Sequence, residues 1–183
     1  MAYNCYNNIE ITGSKKQLKD FKNLLMINLI DGKYLNLVEL SDKKAEESLY
    51  DSAGTRYMEV TIDFQEDTIF ITGDSAWTPA LELFIKLSIK FPDLIIVYDY
   101  EEIGCDFGGW AEIKNGDIDN NIYSYWEYKF KRDYEEALLE ARHEIEYIVE
   151  NDEDDELEFH PIREYISNND YETILKEIKE VSN

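Results

Sequence analysis

Polar and apolar positions alternate along several stretches of the chain with the period of a half-buried strand. In Tyr6–Thr12 (YNNIEIT), Asn7, Ile9 and Ile11 alternate with Asn8, Glu10 and Thr12, which predicts one core face and one wet face. Gly13 ends the run. Ser14, with Gln17 three residues on, predicts an N-cap and capping box for a helix with Leu18, Phe21, Leu24 and Leu25 inward. That helix fades over Asn28–Gly32, Lys33–Leu40 reads as a short strand or an apolar connection, and Ser41–Gly54 as a helical turn plus a mobile loop. YMEVTIDF places Met58, Val60, Ile62 and Phe64 opposite Glu59, Thr61 and Asp63; the turn Gln65–Asp67 then leads into TIFITG, which predicts a hairpin. Thr78 and Pro79 suit the N-cap and first position of a second helix, with Leu81, Phe84, Leu87 and Phe91 inward and Glu82, Lys86 and Lys90 as its wet stripe. Pro92 stops that helix. LIIVYDY follows as an inner strand, apolar on both faces. Asn115-Gly116 between FGGWAEIK and NNIYSYWEYKF predicts another hairpin, its second strand starting late after an irregular DIDN. After Phe130 the period becomes helical. Tyr134, Leu138, Ala141, Ile145 and Ile148 recur on one side, capped by Asp133 with Glu136, and a last helix follows over about 170–181.

The order strand, helix, hairpin, helix, strand is that of a ferredoxin-like α+β sandwich, an antiparallel sheet with helices on one face. The division expected is a ferredoxin-like domain over 1–130, extended by the extra hairpin, and an acidic helical C-terminal extension over 131–183.

Charge sharpens the picture. The chain has 41 acidic and 18 basic residues, a net −23. Residues 1–132 hold 23 acids and 14 bases, and 133–183 hold 18 acids and 4 bases. Such a surface repels nucleic acid and anionic membranes and attracts basic partners. No apolar run reaches the length of a membrane span, and no signal peptide is legible, so a cytoplasmic protein with reduced thiols is expected. Cys5 and Cys105 form no C-x-x-C pair.

Four segments carry a resemblance: MAYNCYNNIEITG (Met1–Gly13), GTRY (Gly54–Tyr57), AWTP (Ala76–Pro79) and GCDFGG (Gly104–Gly109). In this order they resemble the phage- and plasmid-borne family with the YubB ferredoxin-like domain, the Api-like phage proteins. The resemblance covers about residues 1–115 and leaves the acidic tail outside the shared pattern; Ala53 stands where the family tends to have Trp. It implies a fold and a mobile-element context in the host bacterial cytosol, and no activity.

The stretch DYEEIGCDFGGW (Asp99–Trp110) is the densest candidate for chemistry. A metal site there needs Glu101, Glu102 and Asp106 to converge with a fourth ligand, yet adjacent Glu101 and Glu102 point to opposite faces of a strand. A Cys105 nucleophile needs a nearby base, and the only histidines, His143 and His160, lie in the extension. The structural reading makes the stretch a corner, with Gly104, Gly108 and Gly109 supplying positive φ or close approach and Asp106 bonding local N–H groups. NGDIDNN fails as an EF-hand loop, and no phosphate-binding, zinc-protease or serine-hydrolase motif is present. The leading functional expectation is a non-enzymatic, acidic binding protein without metal or cofactor. It inhibits a host defence or nucleic-acid enzyme, in the manner of an anti-CRISPR or nucleic-acid-mimic protein, by docking on its basic surface, and binds no nucleic acid or membrane itself. The residues expected to meet that partner are Glu135, Glu136, Glu140, Glu144, Glu146, Asp152, Glu153, Asp154 and Asp155, with Tyr123 and Tyr125 as aromatic anchors. The alternatives are a small-molecule-binding domain with a pocket at Arg56, Trp77 and Asp106, and a metal-dependent hydrolase acting through Glu102 and Asp106.

Overall fold

The computed structural model describes residues 4–150 and 160–181. The chain divides into two compact units, Met1–Ile122 and Tyr123–Asn183.

The first unit is built on β1 (Asn4–Thr12), α1 (Lys15–Ile27), the short pair β2 (Leu29–Ile30) and β3 (Tyr34–Leu35), the short helices α2 (Leu37–Leu40) and α3 (Leu49–Ala53), β4 (Met58–Phe64), β5 (Thr68–Ala76), α4 (Leu81–Lys90), β6 (Ile95–Glu102), β7 (Phe107–Lys114) and β8 (Asp117–Tyr123). The sheet order is β2-β3-β4-β5-β1-β6-β7-β8. Its middle, β4-β5-β1-β6 with α1 and α4, is the ferredoxin-like arrangement, and β1 runs antiparallel to both β5 and β6. Leu18, Phe21 and Leu25 of α1 and Leu83, Phe84 and Leu87 of α4 join Ile9, Ile11, Ile71, Ile96 and Tyr98 in one core.

Several expectations change in detail. Ser14 caps α1, but the Gln17 side chain accepts the Asp93 N–H at 3.0 Å, stitching α1 to the segment before β6. The helical turn expected within Ser41–Gly54 is α3, with a complete capping box of Ser48 and Asp51. Thr78 is not the cap of α4; that position is Ala80, and the Thr78 hydroxyl donates to Gly54 O at 2.5 Å. β6 is an inner strand as expected, between β1 and β7, but only one of its faces is fully covered: Val97 is 40% exposed on the side away from the helices. Asn115 and Gly116 both take positive φ, 49° and 85°, so β8 starts at once at Asp117, without the expected irregular run. Nor does it continue through Phe130. Ser124 accepts the Glu127 N–H and starts helix α5 (Tyr125–Arg132). Its aromatic residues suited a strand by type, but the cap governs the local backbone.

The second unit contains α5, α6 (Tyr134–Glu150), a 3₁₀ turn at Pro161–Glu164 and α7 (Asn168–Val181). Tyr125, Trp126, Ala141, Ile145, Ile162, Ile174 and Ile178 pack in its own core. The sequence division at 130 therefore differs from the contact division at 122, because α5 buries its aromatics with α6 and α7.

A buried polar group sits at the centre of the first unit. Asn7 is fully buried in β1. Its amide nitrogen donates to Cys5 O at 2.7 Å, Gly73 O at 3.1 Å and Ser75 Oγ at 2.9 Å. Its oxygen accepts the Tyr98 hydroxyl at 2.6 Å, and Tyr98 Oη in turn accepts the Ala80 N–H at 2.9 Å. Removing one partner from such a network leaves buried groups unsatisfied. Tyr98→Phe is expected to destabilise the protein by about 1–3 kcal/mol, read as a lower urea midpoint with an unchanged slope. An unchanged midpoint would show that the network adds nothing to stability.

Candidate functional site

The stretch from Asp99 to Trp110 forms the end of β6, a tight turn and the start of β7. Glu102 is 2% exposed, and its carboxylate accepts the backbone N–H groups of Gly104, at 3.2 Å, and Cys105. Glu102 therefore satisfies two N–H groups of the turn. Asp106 instead takes the left-handed position, φ 52°, which neither Gly104 nor Gly108 occupies. Gly109 meets the close-approach expectation: a Cβ there would lie 2.4 Å from Asn121 O and 2.6 Å from Tyr100 Oη. Glu101 faces away from Glu102, opposite Tyr6. Among the described residues no three His, Cys, Asp or Glu side chains gather in a metal-binding group. Cys105 is exposed, and the Glu102 carboxylate beside it raises its thiol pKa, the reverse of nucleophile activation. Burial pushes the Cys5 thiol up to about 12.

Trp77 is 38% exposed with φ 69°. The Thr78 N–H donates to Ala76 O at 2.8 Å, so the chain reverses around Trp77 in a single-residue turn of the rare positive-φ kind. Around it the Thr55 hydroxyl donates to Ala76 O at 3.0 Å, and Ser75 Oγ donates to Thr78 O at 2.7 Å. The Tyr57 hydroxyl donates to Asn4 Oδ1 at 2.6 Å. The segments Gly54–Tyr57 and Ala76–Pro79 thus meet the start of β1. Arg56 stands over the Tyr50 ring, 5.1 Å from its centroid. It lines a groove with Tyr34, Leu37, Val38, Leu49 and Tyr57, whose walls include neither Trp77 nor Asp106.

In the second unit the expected acidic face is divided. Glu140 points toward Lys129, which is 8% exposed, at 2.7 Å, and accepts the Tyr125 hydroxyl at 3.3 Å. Tyr125 is itself core, 9% exposed. Both residues are part of the unit's own packing. Neither is an outward anchor. Glu135, Glu136 and Glu144 are exposed, Glu146 is half-buried, and Tyr123 lies under the Lys131 ammonium at 4.5 Å. At helical spacing Glu136, Glu140 and Glu144 flank one side of α6, while Glu135 and Glu146 fall on the other. Asp152, Glu153, Asp154 and Asp155 lie outside the described residues.

The strand register assembles a surface that the sequence did not announce. Residues directly opposite one another share a face of the sheet. On the face away from α1 and α4, one row runs Glu59, Asp74, Tyr6, Glu101, Gly108 across β4, β5, β1, β6 and β7. The next runs Thr61, Thr72, Asn8, Asp99, Trp110, and the third Asp63, Phe70, Glu10, Val97, Glu112. These fifteen positions hold seven carboxylates and no Lys or Arg. Glu59 and Asp74 are directly opposed, a like-charge pairing that destabilises a sheet by roughly 0.2–1 kcal/mol. Lys33, 3.2 Å from Glu59, offsets part of that repulsion. The signal for these residues was the wet phase of each alternation; their convergence required the register.

Fold and surface together define an acidic ferredoxin-like α+β domain with an added helical unit. Residues 55–160 match the model of the ferredoxin-like domain in Api92-like proteins, and the chain belongs to that family. No curated protein and no solved structure matches it. The matched span begins after β1 and continues through α6, so it takes in the acidic helix that the sequence reading had left outside the shared pattern.

The Glu102–Cys105 contact gives a direct check. Glu102→Gln removes the charge but keeps an acceptor for the turn. Cys105 alkylation by iodoacetamide at pH 8 is expected to speed up severalfold, because less charge opposes the thiolate. Cys5 should stay unlabelled until the protein is unfolded. An equal rate in the variant would show that Glu102 does not control the thiol.

Proposed function

We propose that the protein is a non-enzymatic binding protein of a phage or related mobile element, which docks carboxylate-bearing surfaces on a basic face of a host defence or nucleic-acid enzyme in the bacterial cytosol. The observation that supports this most is the sheet face with seven carboxylates and no base across three rows. A ferredoxin-like sheet that binds nucleic acid presents the opposite pattern there, basic residues and stacking aromatics. Tyr6, 44% exposed, stands among the acids and offers an aromatic contact at their centre. The directly opposed Glu59 and Asp74 also fit the reading, since such a pair lowers stability and serves recognition of a cationic surface. Glu135, Glu136 and Glu144 add a second exposed carboxylate group on α6. The described helices include none long and apolar enough to cross a membrane.

Two charge-neutralised proteins test the proposal. One carries Glu10→Gln, Asp63→Asn and Glu112→Gln on the sheet; the other carries Glu135→Gln, Glu136→Gln and Glu144→Gln on α6. The immobilised wild type should capture a basic host protein in low salt and release it in high salt. Against that captured protein the sheet variant is expected to lose about tenfold or more in association rate, with a flatter salt dependence. The α6 variant should lose less. Wild-type association rates in both variants would overturn the proposal, as would a gel shift of DNA or RNA by the wild type at physiological salt.

A further inference from the structure

A different kind of site lies at the β2–β3 edge of the first unit, apart from the acidic rows. The groove there has a volume of about 300 Å³. That is the lower end of the size range of small-ligand sites, roughly 300–1,000 Å³. Leu35 and Leu37 in its walls are buried, whereas Ile30 and Val38 are 48% and 46% exposed, so its rims leave apolar surface in water. The polar groups along it are largely engaged. Asn36 Oδ1 accepts the Glu39 N–H, and the Tyr57 hydroxyl donates to Asn4.

Arg56 is the single charged residue in these walls. Its guanidinium is held over the Tyr50 ring, and among the described residues it forms no ion pair with a carboxylate. Lys15, Lys33, Lys90, Lys129, Lys131 and Arg142 all have carboxylate partners. A planar guanidinium with a ring behind it keeps its fork of donors available for a carboxylate.

We propose that this groove binds a small amphiphilic carboxylate, a medium-chain acid whose apolar body covers Ile30, Val38 and Leu49 and whose head group pairs with Arg56. The apolar rims supply the area, and the one cation supplies the polarity of the head group. The protein's net charge of −23 opposes the approach of any anion, so this site differs from an ordinary anion site in its response to salt. Added salt screens the long-range repulsion over a Debye length that falls from roughly 20 Å to below 10 Å, while the contact pair in the groove is screened less. Affinity should therefore hold or rise as salt is added.

Titration calorimetry of the full chain with decanoate, and with decanol as the uncharged control, tests this inference. One saturable site is expected, with decanoate bound at least about tenfold more tightly than decanol. Arg56→Gln should remove that preference, Arg56→Lys should retain part of it, and Val38→Asp should abolish binding of both ligands. Both positions are exposed, and unchanged far-UV circular dichroism confirms that the variants remain folded. Co-sedimentation with vesicles of anionic phospholipid separates a free acid from a lipid surface. Four results overturn the proposal: no saturable binding up to about 1 mM decanoate, equal affinity for decanoate and decanol, wild-type affinity in Arg56→Gln, or binding to vesicles without binding of the free acid.

Discussion

The hydrogen bonds of Asn7 are the constraint on which the first unit depends. A fully buried amide in the central strand is favourable only when its donors and acceptor are all used. Here they are used on three sides. The Gly73 and Ser75 acceptors lock β1 to β5, the Cys5 acceptor lies in β1 itself, and the Tyr98 hydroxyl locks β1 to β6. Through Tyr98 the same network reaches Ala80 at the start of α4, where no side-chain cap is present. One side chain thus specifies the neighbours of β1 and the point at which the second core helix leaves the sheet. An apolar residue in its place could fill the volume but could not choose those partners.

Carboxylates serve two separate purposes in this protein, and sequence alone does not sort them. Glu102 satisfies a turn, and Glu140 pairs with the largely buried Lys129 inside the second unit. These are structural acids. A buried ion pair of this kind is weak evidence of added stability, but losing one partner is costly because the other charge stays behind. The seven acids of the open sheet face stand on the side away from α1 and α4, and Glu135 and Glu136 of α6 are exposed. With the second unit starting at Tyr123, it holds 19 acids and 7 bases, because α5 brings Lys129, Lys131 and Arg132 with it. The excess of negative charge is therefore spread almost evenly, net −11 on the first unit and −12 on the second.

The parts of the fold that were legible are those with a local signal. Met58–Phe64 alternates cleanly because one side of β4 faces the core, and Asn115-Gly116 names its hairpin because both residues must take positive φ. Ser14 was readable as a cap for the same local reason. Tyr125–Phe130 reads as strand because four of its six residues are aromatic, while the one short-range cue, Ser124 before Glu127, lies within a strand-like run. The inward turn of Glu140 and Tyr125 was not legible at all, since it depends on which face of α5 meets α6. The carboxylates of the sheet face were each visible as wet positions. Their assembly into rows depends on pairings between residues up to about ninety positions apart, as for Tyr6 and Glu101. The pocket expected at Arg56, Trp77 and Asp106 does not form as one site, since β5 and β1 separate β4 from β6 and the groove beside Arg56 opens onto the β2–β3 edge.

The single-residue reversal at Trp77 has a consequence for how sequences of this type can vary in length. Between β5 and α4 there is no slack: Ala76 ends the strand, Trp77 inverts the chain, and Thr78 is already tied to Gly54 and Ser75. One inserted residue would turn α4 by about 100° about its axis and shift it by about 1.5 Å. That would swing Leu83, Phe84 and Leu87 out of the core and break the bond from Ala80 to Tyr98. Insertions and deletions should be absent from this junction in functional relatives and accumulate elsewhere, with the loop between α2 and α3 the natural place for them.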